Sequence, residues 1–206
     1  MERNLILGYS LLWVVYSMIL ELLQKQRELD KFVLETKGLT ISPSSLYTKR
    51  VVAFFVELGE FTNELRAFKF WSNKQPSPKD VLLEEYVDAL HFLLSITYTL
   101  QDTSEASNEY VTNRLAVAVD SYFNTKSHFA KYEDIGVKLA DDFVLKVVSH
   151  ISDISYAMPL FWHEELLLAW LDFISLGFMV GFSQEDILEA YSKKYEINIE
   201  RQRQGY

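Results

Sequence analysis

Cysteine is absent from the 206-residue chain. That absence excludes a disulfide framework, a thiolate zinc site and a cysteine nucleophile together. Glycine and proline are scarce, with seven and four residues, too few turn formers for the hairpins of a sandwich or barrel. A mostly helical chain is the expectation. Basic charge is in deficit as well: 20 Lys and Arg stand against 29 Asp and Glu, a formal charge of −9. Without a basic face to release counterions from a phosphate backbone, no nucleic-acid polymer is expected as a partner. A small anion held through metal ions stays compatible. Long apolar runs are also lacking. Asn4 to Leu20 is uncharged over 17 residues, the short limit for a membrane span, but Gly8, Tyr9, Ser10, Tyr16 and Ser17 interrupt it and no small-residue cleavage site follows. The reading is neither a span nor a signal peptide, and a cysteine-free chain is compatible with a reducing cytoplasm.

The patterning that is present is helical. Asn4 to Leu34 reads as one long helix stopped by Gly38, apolar nearly all round in its first half and so buried or packed on a partner chain. A second helix is expected over roughly Leu46 to Phe70. After the loop Ser72 to Pro78, Ser77 is expected to cap a third helix, with Pro78 at its first position and Asp80 in its first turn, running to about Leu100. The stretch 101–132 is more polar, an insertion in which only Glu109 to Tyr122 reads as helix. Further helices are expected over Asp134 to Ala157, ended by Pro159, and over Phe161 to Val180, ended by Gly181. Ser183 and Asp186 then resemble a capping box for a helix reaching about Ile199. No linker or repeat divides residues 1–206, so one all-α domain, a helical bundle, is the economical architecture.

Two of these helices carry carboxylates at helical spacing inside apolar runs. Glu57 and Glu60 lie within Val51 to Phe61, and Glu85 and Asp88 lie within Glu84 to Leu94. Residues three apart share a helix face. Taken singly, either pair has solvated faces as its commonest fate. Taken together, antiparallel packing through the apolar faces would bring four carboxylates close, repelling by ~4 kcal/mol per pair at 4 Å and an effective dielectric of 20. Protons or cations must neutralise such a cluster. Hard divalent cations do so through oxygen ligands, and Mg²⁺ keeps positions for water and phosphate oxygens. Paired helices with inward acids are thus a candidate metal-phosphate site.

The same residues carry a resemblance. Glu57-Leu58-Gly59-Glu60, then Phe68-Lys69-Phe70-Trp71-Ser72, then Leu83 through Leu93 with Glu85, Asp88 and His91 resemble the signature of the dimeric all-α dUTP pyrophosphatases, relatives of MazG-type nucleotide pyrophosphohydrolases. Leu23 to Asp30 is similar to that family's early Gln-x-x-Leu-Asp/Asn motif. Lys194 to Tyr206 resembles its phosphate-binding tail, with one departure: Tyr195 follows Lys194 where the family usually reads Lys-Asn. The motifs occur in order across nearly the whole chain, and 101–149 carries none of them.

The resemblance implies hydrolysis of dUTP, with dUDP as a second substrate, to dUMP and pyrophosphate at a Mg²⁺ cluster in a cytoplasmic homodimer. Glu57, Glu60, Glu85 and Asp88 would hold the metal, and one of the first two, Glu57 in preference to Glu60, would orient or deprotonate the attacking water. Lys194, Asn198 and Arg201 would grip phosphate oxygens, with Tyr206 in the same tail. Gln26 and Asp30, four apart on one helix face, would read the pyrimidine edge. Lys69 and Trp71 would contact substrate, and His91 would lie beside the sugar. Two readings stay open beside this one: the same chemistry on another nucleotide such as dCTP, and a non-enzymatic helical interaction module.

Overall fold

A computed structural model describes residues 2–103, 112–117, 136–156 and 162–205, leaving aside the side chains of 2–18, 103, 136–139 and 156. Helices run over Glu2–Thr36 (α1), Pro43–Leu65 (α2), Lys79–Thr103 (α3), Gly136–Tyr156 (α4), Trp162–Met179 (α5) and Gln184–Arg203 (α6), with a further helical run at 112–117. No strand occurs among the described residues, and the fold is all-α as the turn-poor composition demands. The expected helix within Glu109 to Tyr122 falls partly outside the described residues, as do Pro159 and the flanks of the polar stretch.

The boundaries of α2 differ from the expectation at both ends. Ser42 caps it, its hydroxyl accepting from the Ser45 N–H at 3.4 Å, and Pro43 takes the first turn where its missing N–H costs nothing. At the other end Arg66 turns left-handed at φ 62° and its N–H returns to the Thr62 carbonyl. The helix therefore stops at Leu65, and Phe68 to Trp71 fall in the loop. The apolar signal of Phe68 and Phe70 was a loop feature, since Phe70 is 92% exposed. Ser77 does not cap α3 through its hydroxyl. It closes the α2–α3 hairpin instead: its N–H donates to the Glu64 carbonyl at 3.0 Å and its hydroxyl to the Glu64 carboxylate.

That clamp sets the register. With Glu64 opposite Ser77, one antiparallel step along each helix puts Glu57 level with Glu84 and Glu85. Along its length α2 buries Val51, Phe54, Leu58, Phe61 and Leu65, a spacing of three and four that makes one face. Fully burying each such side chain contributes roughly 1.5–3 kcal/mol. The central α3 contacts α1, α2 and α6. Its Tyr86 stacks on Phe173 of α5 with centroids 4.4 Å apart and donates its hydroxyl to the Phe173 carbonyl at 3.1 Å. The α5 backbone comes this close because residue 177 is glycine: a Cβ there would lie 2.7 Å from the Tyr86 hydroxyl.

The capping box of α6 is formed, Ser183 accepting from the Asp186 N–H while Asp186 accepts from the Ser183 N–H at 2.7 Å. The helix does not end at Ile199 but continues to Arg203, so Arg201 and Gln202 stand on a helix face. No single described helix is long and apolar enough to cross a membrane; α5 and α6 reach that measure only jointly, bent by 104°.

Candidate active site

Of the four acids singled out in the sequence, the hairpin brings three together. Glu57 on α2 and Glu85 and Asp88 on α3 each offer a carboxylate oxygen, and the three oxygens lie within 4.8 Å of one another. All three residues are half-buried. Glu60, one turn along α2, is exposed and outside that group. Burial, then the charges of Asp88, Glu60 and Glu85, pushes the Glu57 carboxyl up to about 7. Glu85 is raised by burial and by Glu60 and Asp88. Asp88 is raised by burial in spite of Lys194. A cluster of carboxyls held above their ordinary range is one whose negative charge the protein leaves partly uncompensated. Three oxygen donors of this kind fit a hard divalent cation.

One cation of the chain's own reaches in. The Lys194 ammonium lies 2.6 Å from Asp88 Oδ2 and 3.1 Å from Glu84 Oε1. Burial works against its charge, but hydrogen bonds and attraction from Asp88 and Glu84 outweigh it and hold the pKa above the ordinary lysine value.

From Glu57 and Asp88 a groove of about 520 Å³ runs past His91 and Phe92 to Gln26 and Asp30. This is the size of pocket that takes a small ligand. Asn198 and Arg201, with Lys194, wall it from α6, and Lys49 and Arg50 wall it from α2. Expected contacts from three distant parts of the sequence are thereby assembled around one space. Lys69 and Trp71 are not among the lining residues. Lys69 donates to the side-chain and main-chain oxygens of Asn63, and Trp71, 66% exposed, sits edge-on to Phe68 and Phe70. Tyr206 lies outside the described residues.

Gln26 is buried and Asp30 half-buried, and both belong to one polar network. Gln26 Nε2 donates to Asp30 Oδ1 at 2.8 Å. An ionised carboxylate only accepts, so the amide nitrogen faces Asp30 and the oxygen faces away. That oxygen accepts from Tyr191 at 3.2 Å and meets His91 Nδ1 at 2.7 Å, which makes Nδ1 the protonated nitrogen of His91. Burial, then Lys194, lowers the His91 pKa to about 3, so the ring is neutral and Nε2 carries a lone pair. Nε2 is buried and has no hydrogen-bond partner. The other oxygen of Asp30 accepts from Arg50, Ser95 and Tyr98, each at 2.7 Å.

Arg50 and Tyr191 escaped the sequence reading. Arg50 lies two turns before Glu57 on the face that buries Phe54, Leu58 and Phe61, and a charge at such a position is the legible sign of a buried partner. Tyr191 stacks on His91 at 4.3 Å and sits three residues before Lys194, on the same face of α6.

A family model described as dUTPase matches residues 18–206. The chain belongs to the dUTPase family. The dUTPase match spans both acidic helices, the Gln26 motif and the lysine-bearing helix, and it includes the stretch 101–149 that carries no recognisable motif. No curated protein matches the chain. As a dUTPase the chain is a hydrolase of nucleotide metabolism acting on dUTP.

Proposed function

We propose that the chain hydrolyses dUTP, with dUDP as a second substrate, to dUMP with release of pyrophosphate or phosphate, and that it needs Mg²⁺ to do so. The observation that carries this reading is the convergence of Glu57, Glu85 and Asp88, the first and last of which line a groove that Lys49, Arg50, Lys194 and Arg201 also line. Mg²⁺ at these carboxylates would lower the pKa of water and take up charge on the phosphate being cleaved. The chain's residues do the rest. Glu57, which faces the groove and belongs to the group of three acids, is the residue that would orient the attacking water or accept its proton. Arg201 presents a fork of donors that matches phosphate oxygens, and Asn198 adds an amide beside it. Glu60 supports the cluster through its charge.

Uracil is the base that the polar network favours. With Oε1 occupied and one Nε2 hydrogen on Asp30, the Gln26 amide has one donor left, and it lines the groove. A lone donor matches a carbonyl such as that at uracil's 4-position and opposes the amine that cytosine carries there. The bare His91 Nε2 needs a donor, which a deoxyribose hydroxyl supplies. Lys69, Trp71 and Tyr206 belong to this reading only as contacts made when substrate binds.

The protein is proposed to act as a cytoplasmic C₂ dimer. Val52 and Val56, four apart on the outer face of α2, are 57% and 52% exposed, and a self-complementary apolar patch is what such a dimer covers. The apolar face expected over Leu5 to Leu20 lies outside the described side chains, except at Ile19 and Leu20. Pyrophosphate release from a panel of dNTPs and NTPs, in Mg²⁺ and in EDTA, tests the function. Preference for dUTP and silence in EDTA are expected; equal turnover of dCTP, or activity in EDTA, would overturn the corresponding part.

A further inference from the structure

Lys194 lines the groove with its ammonium already held by two acids. Its side chain is 11% exposed, and the ammonium meets Asp88 Oδ2 at 2.6 Å and Glu84 Oε1 at 3.1 Å. A lysine serving phosphate alone would need no partner in the free protein. This one is engaged with an acid of the metal-binding group and with the acid one turn before it. Both contacts cross between α3 and α6, and Lys79 with Asp186 at 2.8 Å makes a further ion pair between the same two helices.

We propose that Lys194 is a built-in counter-cation that competes with the divalent metal for Asp88. The inference rests on the metal reading given above. A divalent ion on Asp88 would stand within a few ångströms of the ammonium, and like charges at that range repel strongly where water is scarce. Metal binding must therefore loosen Lys194 from Asp88. Once loosened, the ammonium is left beside a groove already walled by Asn198 and Arg201, where the phosphates of the nucleotide offer it new acceptors. Nucleotide then favours metal by giving Lys194 somewhere to go, and metal favours nucleotide to the same extent, because coupling between two ligands is reciprocal. In this role Lys194 is a positioning residue: it keeps Glu84 and Asp88 in place without metal and links metal loading to substrate binding.

The experiment is a titration of the full chain with Mn²⁺, read by electron paramagnetic resonance, with and without a nonhydrolysable dUTP analogue, comparing wild type with Lys194→Met. Without nucleotide the variant should bind Mn²⁺ at least ~5-fold more tightly than wild type, the lower end of ordinary coupling between sites. With nucleotide the advantage should vanish, because the wild-type lysine has already moved. Equal or weaker Mn²⁺ binding by the variant without nucleotide would overturn the proposal. Failure of wild type to bind Mn²⁺ at all would instead overturn the metal reading beneath it. Lys194→Met leaves Asp88 without its partner and can lower stability in EDTA. The gain in melting temperature on adding Mn²⁺ is then the second readout: a larger gain than in wild type supports competition, and an equal or smaller one refutes it.

Discussion

Gln26 Oε1 lies 2.7 Å from His91 Nδ1, and the contact sets the proton on one nitrogen of a buried imidazole. Gln26→Ala would remove both that constraint and the donor left over for the base. An unpaired polar group costs ~1–3 kcal/mol, so the preference for dUTP over dCTP should fall about tenfold or more. The check is the ratio of kcat/KM for the two nucleotides; an unaltered ratio would move base recognition elsewhere. His91→Ala should weaken dUTP more than its 3′-deoxy analogue, because the analogue lacks the hydroxyl assigned to Nε2.

Asp88→Asn should cut kcat by at least ~10²-fold, the scale of removing one group that stabilises developing charge. Glu60→Gln should cost less, since Glu60 is exposed and outside the group of three. Steady-state kinetics in Mg²⁺ rank the two. Equal losses would return Glu60 to the metal.

In EDTA the protein should lose stability as pH rises. The folded Glu57 pKa, about 7, stands above the ordinary 4.5. Between those values the folded protein keeps a proton that the unfolded chain has released. The resulting stabilisation is complete below the unfolded pKa and disappears as pH climbs through the folded one. Melting temperature should therefore decline from acid to alkaline pH across this window, after subtraction of the Glu57→Gln profile, which lacks the transition. His91 acts in the opposite sense. Its pKa is lowered in the fold, so its contribution is lost as pH falls from the unfolded value toward the folded one, and the double difference is needed to isolate Glu57.

Arg201→Ala should raise KM for dUTP by about tenfold, the equivalent of one charge-assisted contact at ~1.5–3 kcal/mol partly screened by solvent. Arg201 is exposed at the groove wall and its charge favours the ionised Asp88, so melting temperature without ligand should fall only slightly. A variant that melts earlier with KM unchanged would make the residue structural.

Much of this was legible because acids and apolar residues obey the same helical period. Phe54, Leu58 and Phe61 announce the buried face of α2, and Glu57 beside them announces an acid at its edge. The capping box at Ser183 was readable for a local reason: its partners are three residues apart. Ser77 was misread for the converse reason. Its hydroxyl had a nearby N–H to cap but found Glu64 across the hairpin, a contact that tertiary packing creates and local spacing does not display. The end of α2 was misplaced because Arg66 adopts a left-handed conformation with no glycine to signal it. Lys194 was placed in the site by its motif, but its engagement with Glu84 depends on how α6 crosses α3.

Gly177→Ala probes the packing behind the site. The added Cβ would meet the Tyr86 hydroxyl at 2.7 Å, and Tyr86 is held by its stack and hydrogen bond on Phe173. Overpacking of this kind costs typically ~1–3 kcal/mol. Since Glu85 adjoins Tyr86, metal affinity should weaken along with stability in denaturant melts. Tyr86→Phe in the same background should not restore either, because the ring carbons Cζ and Cε2 would still stand 2.8 and 3.1 Å from the added Cβ.

The span of each charge contact dictates an order of assembly. The Glu64–Ser77 clamp closes over 13 residues, whereas Lys194 reaches Glu84 across 110. Short closures cost less chain entropy and form earlier in a folding reaction than long ones. The acidic hairpin is thus built while its carboxylates still repel one another unopposed, and relief arrives only when α6 docks. Contacts made after the rate-limiting barrier govern how fast a protein comes apart, not how fast it forms. The lysine that restrains the acids is, on that timetable, a latch on unfolding.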